Sequence, residues 1–192
     1  GSANHAITFD DTDTDMQPDL VWIKNRDATD GHCFFDAVRG ATKLLATGTS
    51  AAESTDTDTL DSFTSDGFQV DADVKVNTNT EKYVSWNWKA NGSGSANTAG
   101  SINTTATSAN TTSKFSIMQF TGNDTGGATI GHGLGVVPEM VIVKSTTTYD
   151  WAVYHHKNTA APETDYLVFN TTAATADHVG RWNDTAPSST LI

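Results

Sequence analysis

The fold is decided by a stretch that the chain carries twice, PDLVWIK at residues 18–24 and PEMVIVK at residues 138–144. A second related pair follows at the same spacing, DGHCFF at residues 30–35 and DWAVYH at residues 150–155. In each copy a proline precedes a short apolar run of strand length. A duplicated β unit of this kind is typical of a modular structural or binding protein.

The composition agrees with an all-β fold. Gly and Thr are abundant while Leu and Lys are scarce, which favours strands and turns over helices. We therefore predict two related β-sandwich repeats, jelly-roll-like and with little helix, at residues 1–90 and 114–192. Residues 91–113 consist almost wholly of Asn, Gly, Ser, Thr and Ala, and this composition predicts a polar linker between the two repeats.

The clearest strand pattern is YVSWNWKA at residues 83–90. Its alternation places Trp86 and Trp88 on one face, which we expect to point into the core. By the repeat spacing Ile192 corresponds to Val70, so the second unit lacks a counterpart of this strand. Either the sequence is a piece of a longer repeat array, which we favour, or a neighbouring chain or the first unit supplies the strand.

Charge and cysteine content exclude several classes of function. A formal charge of −12 argues against binding to nucleic acid and to anionic membranes, both of which demand clustered Lys and Arg. The single cysteine, Cys33, cannot form an internal disulfide or a cysteine-based zinc site. The chain has neither a long apolar run nor a signal-peptide pattern, so we expect synthesis in a reducing cytosol and no membrane insertion.

An acidic run near the start is the best candidate metal site. Asp11, Asp13 and Asp15 alternate with threonines, and hard oxygen ligands suit Ca²⁺. The run lacks the glycine and the distal glutamate of a dedicated calcium loop, so a solvated loop is the favoured interpretation. No cofactor is expected, and Ca²⁺ stays as the alternative.

Catalytic patterns are not evident, so we predict that the protein is not an enzyme. No Gly-x-Ser-x-Gly elbow is placed between a strand and a helix. Cys33 follows His32 directly in a strand, and neighbours in a strand point to opposite faces, so it is predicted to be a small buried hydrophobe. A glycan depolymerase with two carboxylates in a cleft remains as a third hypothesis.

Aromatic residues are the remaining candidates for ligand binding, since Trp, Tyr and Phe stack on sugars in β-sandwich binding proteins. Trp22, Trp86 and Trp88 fall within strands, where core packing is the simpler account. Trp151 and Trp182 are bounded by polar loops, so these two are the predicted ligand-binding residues.

Five segments together carry a family resemblance: residues 18–26, 35–40, 62–68, 83–90 and 131–135. They resemble a repeated domain of tail-associated structural proteins of bacteriophages, especially marine ones. The resemblance extends over most of the chain, and the family implies a virion component without catalytic residues. The acidic stretch before Pro18 departs from the family pattern.

The resemblance implies a non-enzymatic virion protein of the tail or an appendage, acting in assembly and in host-surface attachment. Its expected partners are other virion proteins, further copies of itself with a trimer favoured, and a host-surface glycan. It would be made in the host cytoplasm and released by lysis. The alternative is a carbohydrate-binding β-sandwich module of a larger secreted or surface protein. An exposed pair of coplanar aromatic rings would favour that alternative.

Overall fold

The protein folds almost entirely into β-structure, as the sequence predicts. The computed structural model describes residues 1–9 and 15–192. Strands make up 37% of the chain and helix 2%, and the strands form several antiparallel sheets in a sandwich-like arrangement.

The secondary-structure elements of the described residues follow one another along the chain as β1 (His5–Thr8), β2 (Leu20–Asn25), β3 (Cys33–Asp36), β4 (Gly40–Ala46), β5 (Ser54–Thr55), β6 (Leu60–Thr64), β7 (Gly67–Val70), β8 (Tyr83–Trp88), β9 (Thr104–Asn110), β10 (Phe115–Phe120), β11 (Met140–Val143), β12 (Ala152–His155), β13 (Asp165–Val168), β14 (Ala176–Asp177) and α1 (Val179–Trp182).

The first part of the chain forms a sandwich of two sheets. A five-stranded sheet, ordered β5-β4-β3-β2-β8, packs against a three-stranded sheet, ordered β1-β7-β6. Alternate residues of β2 and β3 point inward, since side chains alternate between the faces of a strand. The buried core between the sheets contains Val21, Ile23, Cys33, Phe35, Leu44, Leu60, Phe68, Val70 and Val76.

The apolar face of β8 lies opposite to the face that we expected. Trp86 pairs with Trp22, while Ser85 pairs with Ile23. Directly paired residues share a face, and Ile23 points into the core. Trp86 therefore lies on the other side of the sheet, and the smaller polar residues of β8 face the sandwich interior. Alternation alone defines two faces, and β8 is an edge strand whose apolar side turns away from this core.

The second part of the chain forms a four-stranded sheet, ordered β11-β12-β13-β14. Consecutive strands are neighbours here, as they are from β2 to β5. The resemblance between the two strand orders is compatible with two repeats, but the repeat organisation and its boundaries stay predictions.

Aromatic side chains join this sheet to the outer face of the first one. The rings of Trp22 and Phe169 lie 5.5 Å apart, and those of Phe34 and Trp151 lie 5.4 Å apart. Trp151 is 2% exposed. Its indole Nε1 donates to the carbonyl oxygens of Ala46 at 3.3 Å and of Thr49 at 3.1 Å. The two parts are thus held by packing and by hydrogen bonds that reach across the chain.

The polar segment 91–113 is more ordered than a linker. Its residues 104–110 form β9, which pairs antiparallel with β10. Buried hydroxyls are satisfied within the segment: Thr104 Oγ1 and Thr107 Oγ1 are 2.8 Å apart, and Ser108 Oγ accepts the Asn91 N–H at 2.8 Å. Threonine is a good strand former, so a polar composition did not exclude a strand here.

A buried histidine anchors the turn that follows β10. His132 is 1% exposed. Its Nδ1 accepts the Leu134 N–H at 3.2 Å, so Nε2 carries the proton and donates to the Ser188 carbonyl oxygen at 3.2 Å. Burial lowers the pKa of the imidazole below its ordinary value, although the bond to Ser188 acts in the opposite direction.

We predict that Trp151→Ala lowers the free energy of unfolding by about 3–5 kcal/mol, because it leaves a cavity between the two sheets. Tyr149→Ala is the matched control, since Tyr149 is 67% exposed and should change stability by less than about 0.5 kcal/mol. Chemical denaturation followed by circular dichroism measures both. Equal, small effects would contradict the anchoring role of Trp151.

We also predict a stability loss in acid that depends on His132. Its folded-state pKa is lowered, so below about pH 6.5 the unfolded chain binds a proton that the folded chain resists. Stability is therefore complete above that pH and falls as the pH decreases. Denaturation at several pH values should show a shallower pH dependence for His132→Asn than for the wild type, whereas the exposed His5→Asn should keep the wild-type slope.

Candidate functional site

The outer side of β8 carries the candidate site, an aromatic face that we define as Trp22, Trp86, Trp88 and Phe115. Trp22 and Trp86 have ring centroids 5.1 Å apart with planes tilted by 45°. Trp88 and Phe115, the first residue of β10, are stacked with centroids 6.0 Å apart and planes 22° from parallel. The four rings form two adjoining pairs.

Two of these rings are open to solvent. Trp86 is 42% exposed and Trp88 is 36% exposed. They lie two positions apart on one strand, so their Cα atoms are separated by about 7 Å on the same face. Neighbouring exposed tryptophans are informative, because soluble proteins usually bury most of such large apolar surfaces.

The aromatic face continues under the second sheet. Trp22 contacts Phe169 and also His32, with ring centroids 5.7 Å apart. Within the described residues, Trp22 Nε1 and His32 Nδ1 are buried without a protein hydrogen-bond partner. Burial and, to a smaller degree, the charge of Lys24 lower the pKa of His32, which favours the neutral ring. A polar partner that reached these atoms would relieve their desolvation cost.

The two tryptophans that the sequence predicted as ligand-binding residues have other contacts. Trp151 is buried between the sheets, so it offers no ring face to a ligand in this structure. Trp182, in α1, is half-buried, donates its Nε1 proton to the Asp165 carbonyl oxygen at 3.0 Å and meets the ring of Tyr154 edge-on. Loop flanks suggested exposure, but each ring is held by residues distant in sequence.

The predicted calcium ligands give no assembled site that can be described. Asp15 is exposed, and Asp11 and Asp13 lie outside the described residues. Within residues 1–9 and 15–192, no group of three His, Cys, Asp or Glu side chains could hold a metal ion. Binding of Ca²⁺ by the acidic run stays a prediction.

The cysteine is buried, as the sequence predicts. Cys33 lies in the core of the first sandwich, and burial raises the pKa of its thiol to about 12. The neutral thiol therefore persists at ordinary pH, and it is a poor nucleophile in this position.

The most closely paired charges have structural partners. Arg39 Nε lies 2.6 Å from an oxygen of Asp36, and its Nη1 lies 3.1 Å from an oxygen of Glu53. Arg39 also donates to the carbonyl oxygens of Phe34 and Lys43. The two carboxylates are thus fixed around one guanidinium and bind the β3–β4 turn to the segment before β5.

A cavity of about 310 Å³ opens at the end of the first sandwich, below the core side of β8. Its polar lining is engaged with protein. Tyr83 donates its hydroxyl proton to the Val74 carbonyl oxygen at 2.7 Å and accepts the Thr78 N–H at 2.8 Å. We assign it no ligand.

The chain belongs to the family described as Domain of unknown function (DUF7483), which it matches over residues 3–192. Neither a curated protein nor a solved structure matches it. In the described part of the chain, no helix is long and apolar enough to span a bilayer.

Proposed function

We propose that this member of the DUF7483 family is a non-enzymatic structural protein of a bacteriophage tail or appendage, acting in assembly and in attachment to the host surface. The observation that carries the proposal is the exposed apolar edge of the second sheet, where Met140 and Ile142 of β11 are 48% and 39% exposed. Proteins that work as monomers usually protect such edges, so an open edge favours a role in assembly.

The sequence and the side-chain contacts support this proposal. Five segments resemble a repeated domain of phage tail-associated proteins, as described above. Cys33 and His132 are occupied in packing and hydrogen bonding, which favours a non-enzymatic role. The formal charge of −12 favours partners other than nucleic acid or anionic membranes. The proposed location is the virion, after synthesis in the host cytoplasm, with other virion proteins and copies of the chain as partners.

The virion role predicts that the protein copurifies with particles. Antibodies to the chain should detect it in the particle band of a density gradient made from a lysate of the producing cells. Immunogold electron microscopy should then label the tail or an appendage. Recovery of the protein in the soluble fraction alone, with unlabelled particles, would contradict the proposal.

The aromatic face supports a second candidate function, carbohydrate binding, either as the attachment activity of the virion protein or as a module of a larger surface protein. Trp86 and Trp88 present flat apolar surfaces of the kind that pack against the C–H groups of a sugar ring. The strong negative charge disfavours acidic glycans, so we propose a neutral hexose chain as the ligand.

Glycan binding predicts that Trp86→Ala and Trp88→Ala each weaken affinity about tenfold or more, because truncating an aromatic anchor removes much of its contact energy. A glycan array identifies the ligand, and calorimetry with that glycan compares the variants. Tyr149→Ala, which removes an exposed aromatic ring elsewhere, should bind like the wild type. Wild-type affinity in the Trp86→Ala, Trp88→Ala double variant would exclude the aromatic face as the binding site.

A further inference from the structure

The outer side of β11 is an open sheet edge. Among the described residues, β11 has one strand partner, β12, with Met140 opposite His155 and Val143 opposite Ala152. The equivalent strand of the first sheet, β2, has partners on both sides, β3 and β8. The apolar surface at the open edge is extended by Val137, which precedes the strand and is exposed.

The backbone groups of this edge point outward at alternate residues. The His156 N–H donates to the Glu139 carbonyl oxygen at 2.9 Å, which fixes the phase of the β11–β12 ladder. In an antiparallel ladder, hydrogen-bonded and non-hydrogen-bonded residues alternate. Val141 and Val143 therefore direct their N–H and C=O groups to β12, while Met140 and Ile142 direct theirs to the open side.

The same chain shows how such an edge accepts a strand. In the first sheet the Arg26 N–H donates to the Lys82 carbonyl oxygen at 2.8 Å, so Trp22 and its alternate neighbours bond to β8. Trp22 is the counterpart of Ile142 at the repeat spacing. The geometry of β11 is thus that of a strand ready to pair on its second side.

The free side of β8 in another copy is a poor match for this edge. Backbone groups on that side belong to Tyr83, Ser85 and Asn87, because their alternate neighbours bond to β2. Hydrogen-bonded pairs share a face, so Ser85 and Asn87 would then lie beside Met140 and Ile142. That pairing would put polar residues against an apolar strip.

A second β11 matches both the backbone and the side chains. We propose that two copies of this chain pair antiparallel through β11, with the two-fold axis at Val141. Met140 then lies opposite Ile142 of the second copy, and Ile142 opposite Met140 of the second copy. The outward backbone groups are satisfied, the apolar side chains share one face, and two four-stranded sheets become one of eight strands.

The charges near this edge are compatible with the pairing. In the proposed register Glu139 lies opposite Val143 of the second copy, so no like charges face each other. Lys144 donates its Nζ protons to the carbonyl oxygens of Ser145 and Thr147, which keeps its charge within its own loop. The inference concerns the chain alone and does not depend on a virion role.

A two-fold contact closes after two chains, so this edge predicts a dimer. The trimer favoured from the sequence would need a different surface. Light scattering should therefore give twice the chain mass of 20.4 kDa at high concentration. Added salt should favour the dimer, because each copy carries a formal charge of −12.

Cysteine cross-linking tests the register directly. Val141→Cys places two thiols at a non-hydrogen-bonded pair, where Cα atoms are about 4.5 Å apart and a disulfide can form. Ile142→Cys is the matched control, because its two copies would be about 9 Å apart, beyond disulfide reach. Under mild oxidation we expect a covalent dimer from Val141→Cys, little from Ile142→Cys, and none from the wild type with its buried Cys33.

Two further variants keep the test decisive if Val141→Cys fails to fold. An equimolar mixture of Met140→Cys and Ile142→Cys should cross-link between the two variants, since these residues oppose each other. Ile142→Lys, which places a charge at the edge, should raise the dimer dissociation constant about tenfold or more. Circular dichroism verifies that each variant is folded.

Several outcomes would overturn the proposal. A monomer that gives no cross-link in any variant excludes it, as does self-linking of Ile142→Cys without that of Val141→Cys. A trimer without cross-links at residue 141 excludes this contact yet leaves the virion role standing. Saturable binding of a synthetic YVSWNW peptide to a monomeric chain, lost in Ile142→Lys, would assign the edge to a strand like β8 instead of a second copy.

Discussion

Strand β2 is hydrogen-bonded along both edges and covered on both faces, and the other parts of the molecule are arranged around it. Val21 and Ile23 fix the first sandwich on one face, while Trp22 on the other face contacts both Trp86 and Phe169. A strand buried on both sides tolerates no shift in register, since a shift of one residue would exchange its two faces. The position of the aromatic face is therefore fixed by the core beneath it.

The counterpart strand β11 lacks half of this support, and that difference separates the two ends of the molecule. Both strands follow a proline and carry similar apolar runs. In β2 the second edge and the outer face are filled, whereas in β11 Met140 and Ile142 are exposed. The same local sequence pattern thus gives an internal strand in one place and an open edge in the other, because pairing depends on what lies beside the strand.

Much of the fold could be predicted from local patterns, and the candidate site could not. The apolar runs located β2, β3, β11 and β12, and alternation located β8. The site depended on which face of β8 met the core, and alternation is symmetric in that respect. Trp151 misled for a related reason: its polar sequence neighbours indicated exposure, but its environment comes from Phe34 and Phe169. β9 was missed because its buried threonines satisfy one another, which composition does not reveal.

The hydrogen bonds of Trp151 have a consequence for biosynthesis. Its indole reaches carbonyl oxygens 105 and 102 residues earlier in the chain. At a translation rate of about 5–20 residues per second, the first sheet waits roughly 5–20 s before this tryptophan is even made. Throughout that interval the outer side of the first sheet, with Trp22 and Phe34, is without its cover. The nascent protein thus carries an adhesive surface on the ribosome, and its yield depends on how sparsely it is produced or on chaperones that shield that surface until the second sheet arrives.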